Sequence, residues 1–199
     1  MEQKEPLRII KNLCVFCGSS NGNNEIYHDA VVTLAQAMAQ RSINLVYGGG
    51  GRGLMGIMAA TLRDTPVSVT GIIPTKLYDM VKHIAHDEDE LLIVSDMHER
   101  KATMYARSDA FIALPGGIGT LEEVMEALTW LQLGYHNKPV GLLNTNGYYD
   151  KLLEFLNHAV ASGFLQQTLL ETLIVTADAS RLLEELSTAA LILPLKIEQ

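Results

Sequence analysis

Along the chain, short apolar runs alternate with longer stretches in which apolar residues recur three and four positions apart. Leu13 to Phe16, Ile43 to Tyr47, Val67 to Ile73, Leu91 to Val94, Ala110 to Leu114, Pro139 to Leu143 and Leu173 to Val175 have the length and bulk of buried strands. Helical periodicity predicts helices over about Glu25 to Gln40, from the Gly56 region to about Arg63, and over Met97 to Arg107. It predicts further helices from Thr120 through Leu133, from Gly147 to Ala161 and from Ala179 to Leu186. Strand and helix alternate throughout, with no long linker, internal repeat or low-complexity segment. The pattern predicts an α/β fold: a mainly parallel sheet with helices on both faces. Thr75 to Glu90 fits neither period; it is polar, carries Asp87-Glu88-Asp89-Glu90, and is expected to be a solvated surface loop.

Length adds one constraint. A chain of 199 residues fits a single domain, 1–199, with residues 1–10 expected as a flexible N-terminus and 191–199 as a C-terminal tail. The net charge of −8 argues against a broad nucleic-acid surface, which would be basic. An acidic protein that binds a phosphate must do so locally, with glycine amides and a few placed cations. No stretch approaches the roughly 18 apolar residues of a membrane span, and the charged Met1-Glu2-Gln3-Lys4-Glu5 start is not a signal peptide, so a cytoplasmic location is expected. Two cysteines make no disulfide framework. Cys14 and Cys17 lie in and just after a strand and read as buried small residues, and the six histidines show no ligand spacing, so no metal is expected.

The most informative stretch is Asp109 to Glu123. A strand ends at Pro115-Gly116-Gly117 and a helix follows, with Leu121, Val124, Met125 and Leu128 on its apolar face. Glycines let the backbone approach a ligand, and the first helical turn offers free N–H groups and a positive dipole end. This is a phosphate seat built from Pro115, Gly116, Gly117, Ile118, Gly119, Thr120 and Leu121, with Glu122 and Glu123 beside it. Thr120-Leu121-Glu122-Glu123 also fits a capping box, which would make Glu123 a cap and not a catalyst. In either role the helix dipole is expected to keep Glu123 ionised, with a low pKa.

A second glycine turn, Gly48-Gly49-Gly50-Gly51-Arg52-Gly53-Leu54-Met55-Gly56, contains G-x-G-x-x-G. A dinucleotide fold places this after the first strand, with an acid about 20 residues on. Here it follows the second strand, and Val69-Thr70-Gly71-Ile72 offers no acid, so a nicotinamide site is not expected. A contact from Gly49, Gly50 and Gly53 to a mononucleotide competes with a tight turn that merely packs helix on sheet. Met97-His98-Glu99-Arg100-Lys101 begins another helix at the same sheet edge. Arg100 can hold a phosphate or carboxylate with two donors.

Together, Cys17-Gly18-Ser19-Ser20, Tyr47-Gly48-Gly49-Gly50 with Gly53-Leu54-Met55-Gly56, Met97 to Lys101, Pro115 to Glu123, Trp130 to Asn144 and Gly147-Tyr148-Tyr149 resemble the LONELY GUY phosphoribohydrolases, a family also labelled "lysine decarboxylase". The resemblance implies a Rossmann-like three-layer sandwich, usually dimeric. It implies a hydrolase that cleaves the N-glycosidic bond of a nucleoside 5′-monophosphate, AMP or a cytokinin riboside monophosphate, to free base and ribose 5-phosphate without a cofactor. Arg100 and Glu123 match the family's catalytic pair. Gly18, Ser19, Gly49, Gly50, Gly53, Met97, Arg100 with Lys101, and Pro115 through Glu122 make up the implied substrate-binding set. No lysine sits in a recognisable setting for the Schiff base that a pyridoxal phosphate decarboxylase needs. The family's Glu-x-x-His stretch is altered here: Lys82 or His83 stands at the Glu place, ahead of Ala85-His86. A non-catalytic nucleotide or cofactor carrier on the same scaffold is the alternative, and it would need neither Arg100 nor Glu123.

Overall fold

The computed structural model describes residues 7–84 and 87–191. Seven strands form one sheet: β1 (Asn12–Phe16), β2 (Asn44–Tyr47), β3 (Val69–Pro74), β4 (Glu90–Val94), β5 (Ala110–Ala113), β6 (Val140–Leu143) and β7 (Leu173–Thr176). Their order is β4-β3-β2-β1-β5-β6-β7 and every pairing is parallel. Eight helices connect them: α1 (Glu25–Gln40), α2 (Gly53–Leu62), α3 (Thr75–Val81), α4 (Met97–Ala106), α5 (Ile118–Gln132), α6 (Asp150–Ala161), α7 (Gln167–Thr172) and α8 (Ala179–Thr188).

Strand residues alternate between two cores, as a pleated sheet requires. Leu13 and Val15 of β1 join Leu34 and Met38 of α1, Met58 and Leu62 of α2 and Leu182 and Leu186 of α8. Cys14 and Phe16, on the other face, join Met104 and Tyr105 of α4 and Val124 and Leu128 of α5. The sheet is covered on both sides, which explains why its strands read as continuous apolar runs. Cys14 and Cys17 are free thiols buried in this packing, and burial pushes both thiols well up in pKa. The chain moves outward from β1 through β2 and β3 to β4, then returns to the other side of β1 as β5. That reversal opens a crevice between the carboxyl ends of β1 and β5, where ligands of such sheets bind.

Three expectations need correction. The segment after β3 is not a loop: β3 runs through Pro74, paired with Val94, and α3 follows at once. The acidic run is engaged, not merely solvated. Asp87 meets Arg63 at 2.6 Å, the Asp89 carboxylate accepts the Val69 N–H at 2.8 Å, Glu90 meets Arg107 at 2.7 Å, and the buried Tyr47 hydroxyl donates to Glu88. These carboxylates tie β4 to its neighbours, so their charge belongs to the architecture. Finally, Gly147 does not begin a helix. A 3-10 turn over Thr145–Gly147 comes first, with Asn146 at φ 53° and Gly147 at φ 67°, and α6 starts at Asp150. Of the expected flexible start, residues 1–6 lie outside the described residues; within them, the Arg8 N–H donates to Ser187 at 2.8 Å. Residues 192–199 of the expected tail, and Ala85-His86, also lie outside the described residues.

Candidate active site

Turns from three strands meet at the crevice. The Gly18 N–H donates to the Pro115 carbonyl at 3.1 Å, and the Met55 N–H reaches the Gly18 carbonyl at 3.4 Å. Gly53, at φ +61°, lies so close to Ser19 that any Cβ there would overlap the Ser19 backbone. Between these turns lies a cleft of about 290 Å³, lined by Gly18, Ser19, Ser20, Asn21, Gly22, Tyr27, Leu54, Pro115, Gly116, Gly117 and Tyr148.

The turn that leads into α5, Pro115 to Gly117, lines the cleft. The N-cap of α5 is Gly117, and no side chain caps it. Thr120 and Glu123 therefore do not form the expected capping box. The glycine turn lets the helix begin at Ile118, two residues early, so Thr120 falls inside the first turn, buried against Gly116. The leading amides of α5 are left for a ligand. Gly117 and Gly119 face open space, with nothing within 4 Å of where a Cβ would stand.

Glu123 sits one turn further in, at 7% exposure, facing Arg100 at 9%. Arg100 Nη1 lies 3.1 Å from Glu123 Oε1. Arg100 is itself anchored: Nε donates to Ile72 O at 3.1 Å and Nη2 reaches Gly48 O at 3.4 Å. The start of α4 is fixed too. Asp96 caps it by accepting the His98 and Glu99 N–H groups at 2.8 and 2.9 Å, and Glu99 reaches back to the Ser95 N–H at 2.7 Å. Although ion-paired, Glu123 Oε1 accepts no aligned hydrogen bond. The atom is buried, and its close charged neighbour is the Arg100 guanidinium. The expectation of a low pKa is also corrected. Burial pushes the Glu123 carboxyl above its ordinary value; Arg100 and Lys101 pull it back, while Glu122 and Glu126 add to the rise. The dipole that would have lowered it fades beyond the first turn.

Lys101 points away from the cleft, between α4 and α5. Its ammonium pairs with Glu122 and, at 3.0 Å, with Glu126, whose other oxygen lies 2.9 Å from the Tyr105 hydroxyl. Burial opposes that charge, but the hydrogen bonds to Glu122 and Glu126 prevail and raise the Lys101 pKa. Of the remaining members of the expected set, Ser19 lines the cleft and is exposed. The others scatter: Ile118 is exposed, Met97 is exposed beside Arg100, Gly50 sits beside Met55, and Leu121 packs into the α4–α5 core. Gly49 backs onto Ile72, Ile73 and Leu91, on the β3 side. Lys82 ends α3, exposed and 3.1 Å from Asp79, with His83 exposed after it. Among the described residues, no cluster of three or more His, Cys, Asp or Glu could hold a metal ion.

Sequence reasoning missed four contributors: Asp96, Tyr105, Tyr148 and Tyr149. Tyr148 donates to Gly116 O at 2.5 Å and Tyr149 to Leu114 O at 2.6 Å. For the two tyrosines the signal available was their place in the family-like Gly147-Tyr148-Tyr149 stretch, which follows a strand at the same sheet edge.

Comparison with known proteins places the chain in a family. The family model described as "Possible lysine decarboxylase" matches residues 55–186. The chain is 50% identical over 181 residues to "Probable cytokinin riboside 5′-monophosphate phosphoribohydrolase LOG6" of Arabidopsis thaliana, covering 91% of this chain and 89% of that protein. It is 49% identical over 175 residues to cytokinin riboside 5′-monophosphate phosphoribohydrolase LOG2 of the same plant, covering 87% and 81%. A solved structure, the molybdenum cofactor binding protein of Rippkaea orientalis, superposes with TM-score 0.64 at 22% identity over 87% of this chain and 93% of that one, a likeness of fold alone. With half-identical relatives along nearly its whole length and a Rossmann-like sheet bearing the Arg100–Glu123 pair, the chain belongs to the LONELY GUY (LOG) family, whose family model carries the lysine decarboxylase label.

Proposed function

We propose that the protein hydrolyses the N-glycosidic bond of a nucleoside 5′-monophosphate, AMP or an N6-substituted AMP, releasing the base and ribose 5-phosphate. The observation that carries this reading is a buried Arg100–Glu123 pair on the same helix as an uncapped phosphate seat. Glu123 lies six residues beyond the N-cap, about 9 Å along α5 at 1.5 Å per residue. That span suits a ribose 5-phosphate with its phosphate on the amides and its anomeric carbon near the carboxylate.

The chemistry follows from the charges. As the C1′–N bond breaks, positive charge develops on the ribose. A carboxylate held in place by Arg100 stabilises that charge without reorganisation, or aligns the attacking water. The water oxygen bonds to C1′, the bond electrons leave with the base, and the water's proton balances the departing nitrogen. The phosphate supplies binding energy that holds the sugar in register. Arg100 keeps its proton and orients Glu123.

Two observations bear on the alternatives. A carrier has no evident need of a buried Arg100–Glu123 ion pair one helical turn from the phosphate seat. A Schiff base needs a neutral lysine, whereas Lys101, the lysine buried at this site among the described residues, is held charged by two carboxylates. The protein is further proposed to act as a cytoplasmic homodimer. Phe155 and Phe164 stand exposed, and Leu128, Leu156 and Leu169 line an apolar groove nearby. Light scattering at micromolar concentration checks this, and a monomeric mass rules the dimer out.

The deciding experiment is chromatographic. The protein is incubated with AMP and with isopentenyl-AMP, and free base is measured, with Glu123→Ala as control. Base release that disappears in the variant is the expected result, and the ratio of the two substrates reports the base preference. Binding of both nucleotides without cleavage would instead favour the carrier.

A further inference from the structure

The Leu114-Pro115-Gly116 turn has its three carbonyls held by three different donors. Leu114 O takes the Tyr149 hydroxyl at 2.6 Å, Pro115 O takes the Gly18 N–H at 3.1 Å, and Gly116 O takes the Tyr148 hydroxyl at 2.5 Å. The described chain has no cis peptide bond, and in a trans peptide the C=O and the following N–H point in opposite directions. A carbonyl bond therefore also aims the N–H that follows it. The first bond aims none, because Pro115 has no N–H. The second turns the Gly116 amide and the third turns the Gly117 amide. Gly117 is the uncapped N-cap of α5 and is open where a Cβ would stand.

Without such a tie, this peptide could flip. Gly116 and Gly117 are both glycines, so little steric cost holds the plane between them. A flip would present a carbonyl oxygen to an incoming phosphate and repel it. The Tyr148 ring is placed to prevent this. It packs edge-on against Tyr27, at 5.8 Å between centroids, and against Tyr149 at 5.1 Å. Its backbone is fixed by the preceding turn, where the Asn144 side chain accepts the Tyr149 N–H at 2.7 Å and donates to Asp150 at 2.7 Å.

We propose that Tyr148 is a positioning residue of the phosphate seat: its hydroxyl pins the Gly116 carbonyl at the cleft wall and so keeps the Gly117 N–H, on the opposite side of that peptide, for the substrate phosphate. The proposal rests on reading the cleft as the seat of the 5′-phosphate. It assigns Tyr148 an effect on phosphate affinity, not on bond cleavage.

Tyr148→Phe removes the hydroxyl and keeps the ring. Calorimetry with ribose 5-phosphate and with inorganic phosphate, steady-state kinetics with AMP and a thermal melt are run on the full chain. The dissociation constants for both phosphates and KM for AMP rise together by about tenfold, kcat stays within about twofold, and the melting temperature shifts by less than about 2 °C. Unchanged affinity for ribose 5-phosphate overturns the proposal. So does a fall in kcat at constant KM, which would put the hydroxyl at the reacting atoms, and so does an affinity loss that tracks a large drop in melting temperature. If the wild type binds ribose 5-phosphate but cleaves neither AMP nor isopentenyl-AMP, the enzymatic reading fails while the calorimetric comparison still decides this one. A wild type that binds no phosphate at millimolar concentration removes both.

Discussion

The two glycine turns look alike in sequence and differ in what fills the space that a side chain would occupy. Around Gly49 and Gly53 that space holds protein: Ile72, Ile73 and Leu91 for one, the Ser19 backbone for the other. Around Gly117 and Gly119 it holds nothing. The first turn uses glycine so that β2 and α2 can close on their neighbours, and its Gly48 carbonyl then steadies Arg100. In the second, Gly116 is packed against Thr120 and Gly18, while Gly117 and Gly119 leave the room that the proposed phosphate seat needs. A Gly-rich motif thus reports close approach by something, and only the fold says whether that something is the protein itself.

The largest expected effect falls where the two turns meet, at the Arg100–Glu123 pair. Glu123→Gln keeps the shape and removes the charge, and kcat for base release should fall roughly a thousandfold, about 4 kcal/mol of barrier. Retention of a tenth of the activity would remove Glu123 from the chemistry. Next comes the packed turn. Gly53→Ala demands a positive φ from alanine and overlaps the Ser19 backbone, so urea unfolding should show a loss of about 3 kcal/mol. A tolerated alanine would break the packing half of the comparison. Tyr149→Phe leaves the buried Leu114 carbonyl without its donor and should cost about 2 kcal/mol by the same assay. The open turn behaves oppositely: Gly117→Ala should change stability by less than about 1 kcal/mol, because φ −89° suits alanine and no atom is near. Yet it should weaken ribose 5-phosphate binding about tenfold in calorimetry.

The smallest effect is on pH dependence. In the proposed reaction Glu123 acts as its carboxylate, and burial raises its pKa. Activity is therefore gained as pH rises through that value, and the acid limb of kcat/KM should lie above the ordinary glutamate range. Arg100 pulls the pKa down, so Arg100→Gln should move the limb further up. Because kcat/KM reports the free enzyme, a limb at the usual position would overturn the raised pKa or the role of Glu123.

The sheet and its long helices were legible because both periods were strong and uninterrupted, and the site's position followed from strand ends. What escaped was decided by tertiary contact. Thr75 to Val81 shows no clean period, yet it becomes α3 directly after Pro74. Thr120 matched a cap by spacing, but two glycines allowed an earlier start and left it inside the helix. Glu123 was expected at low pKa from its place on a helix; only the folded chain shows it buried against Arg100. The partners of Tyr148 and Tyr149 lie more than 30 residues back, beyond the reach of local pattern.

The strand order has a consequence for synthesis. β1 emerges first from the ribosome, but its neighbour β5 comes almost a hundred residues later, and the tyrosines that set the phosphate turn come later still. α8 then closes over α1, with the Arg8 amide reaching Ser187. A nascent chain can therefore hold several helices and half a sheet without a place for the nucleotide. On the proposed reading, the site is complete only once Tyr148 and Tyr149 have been made.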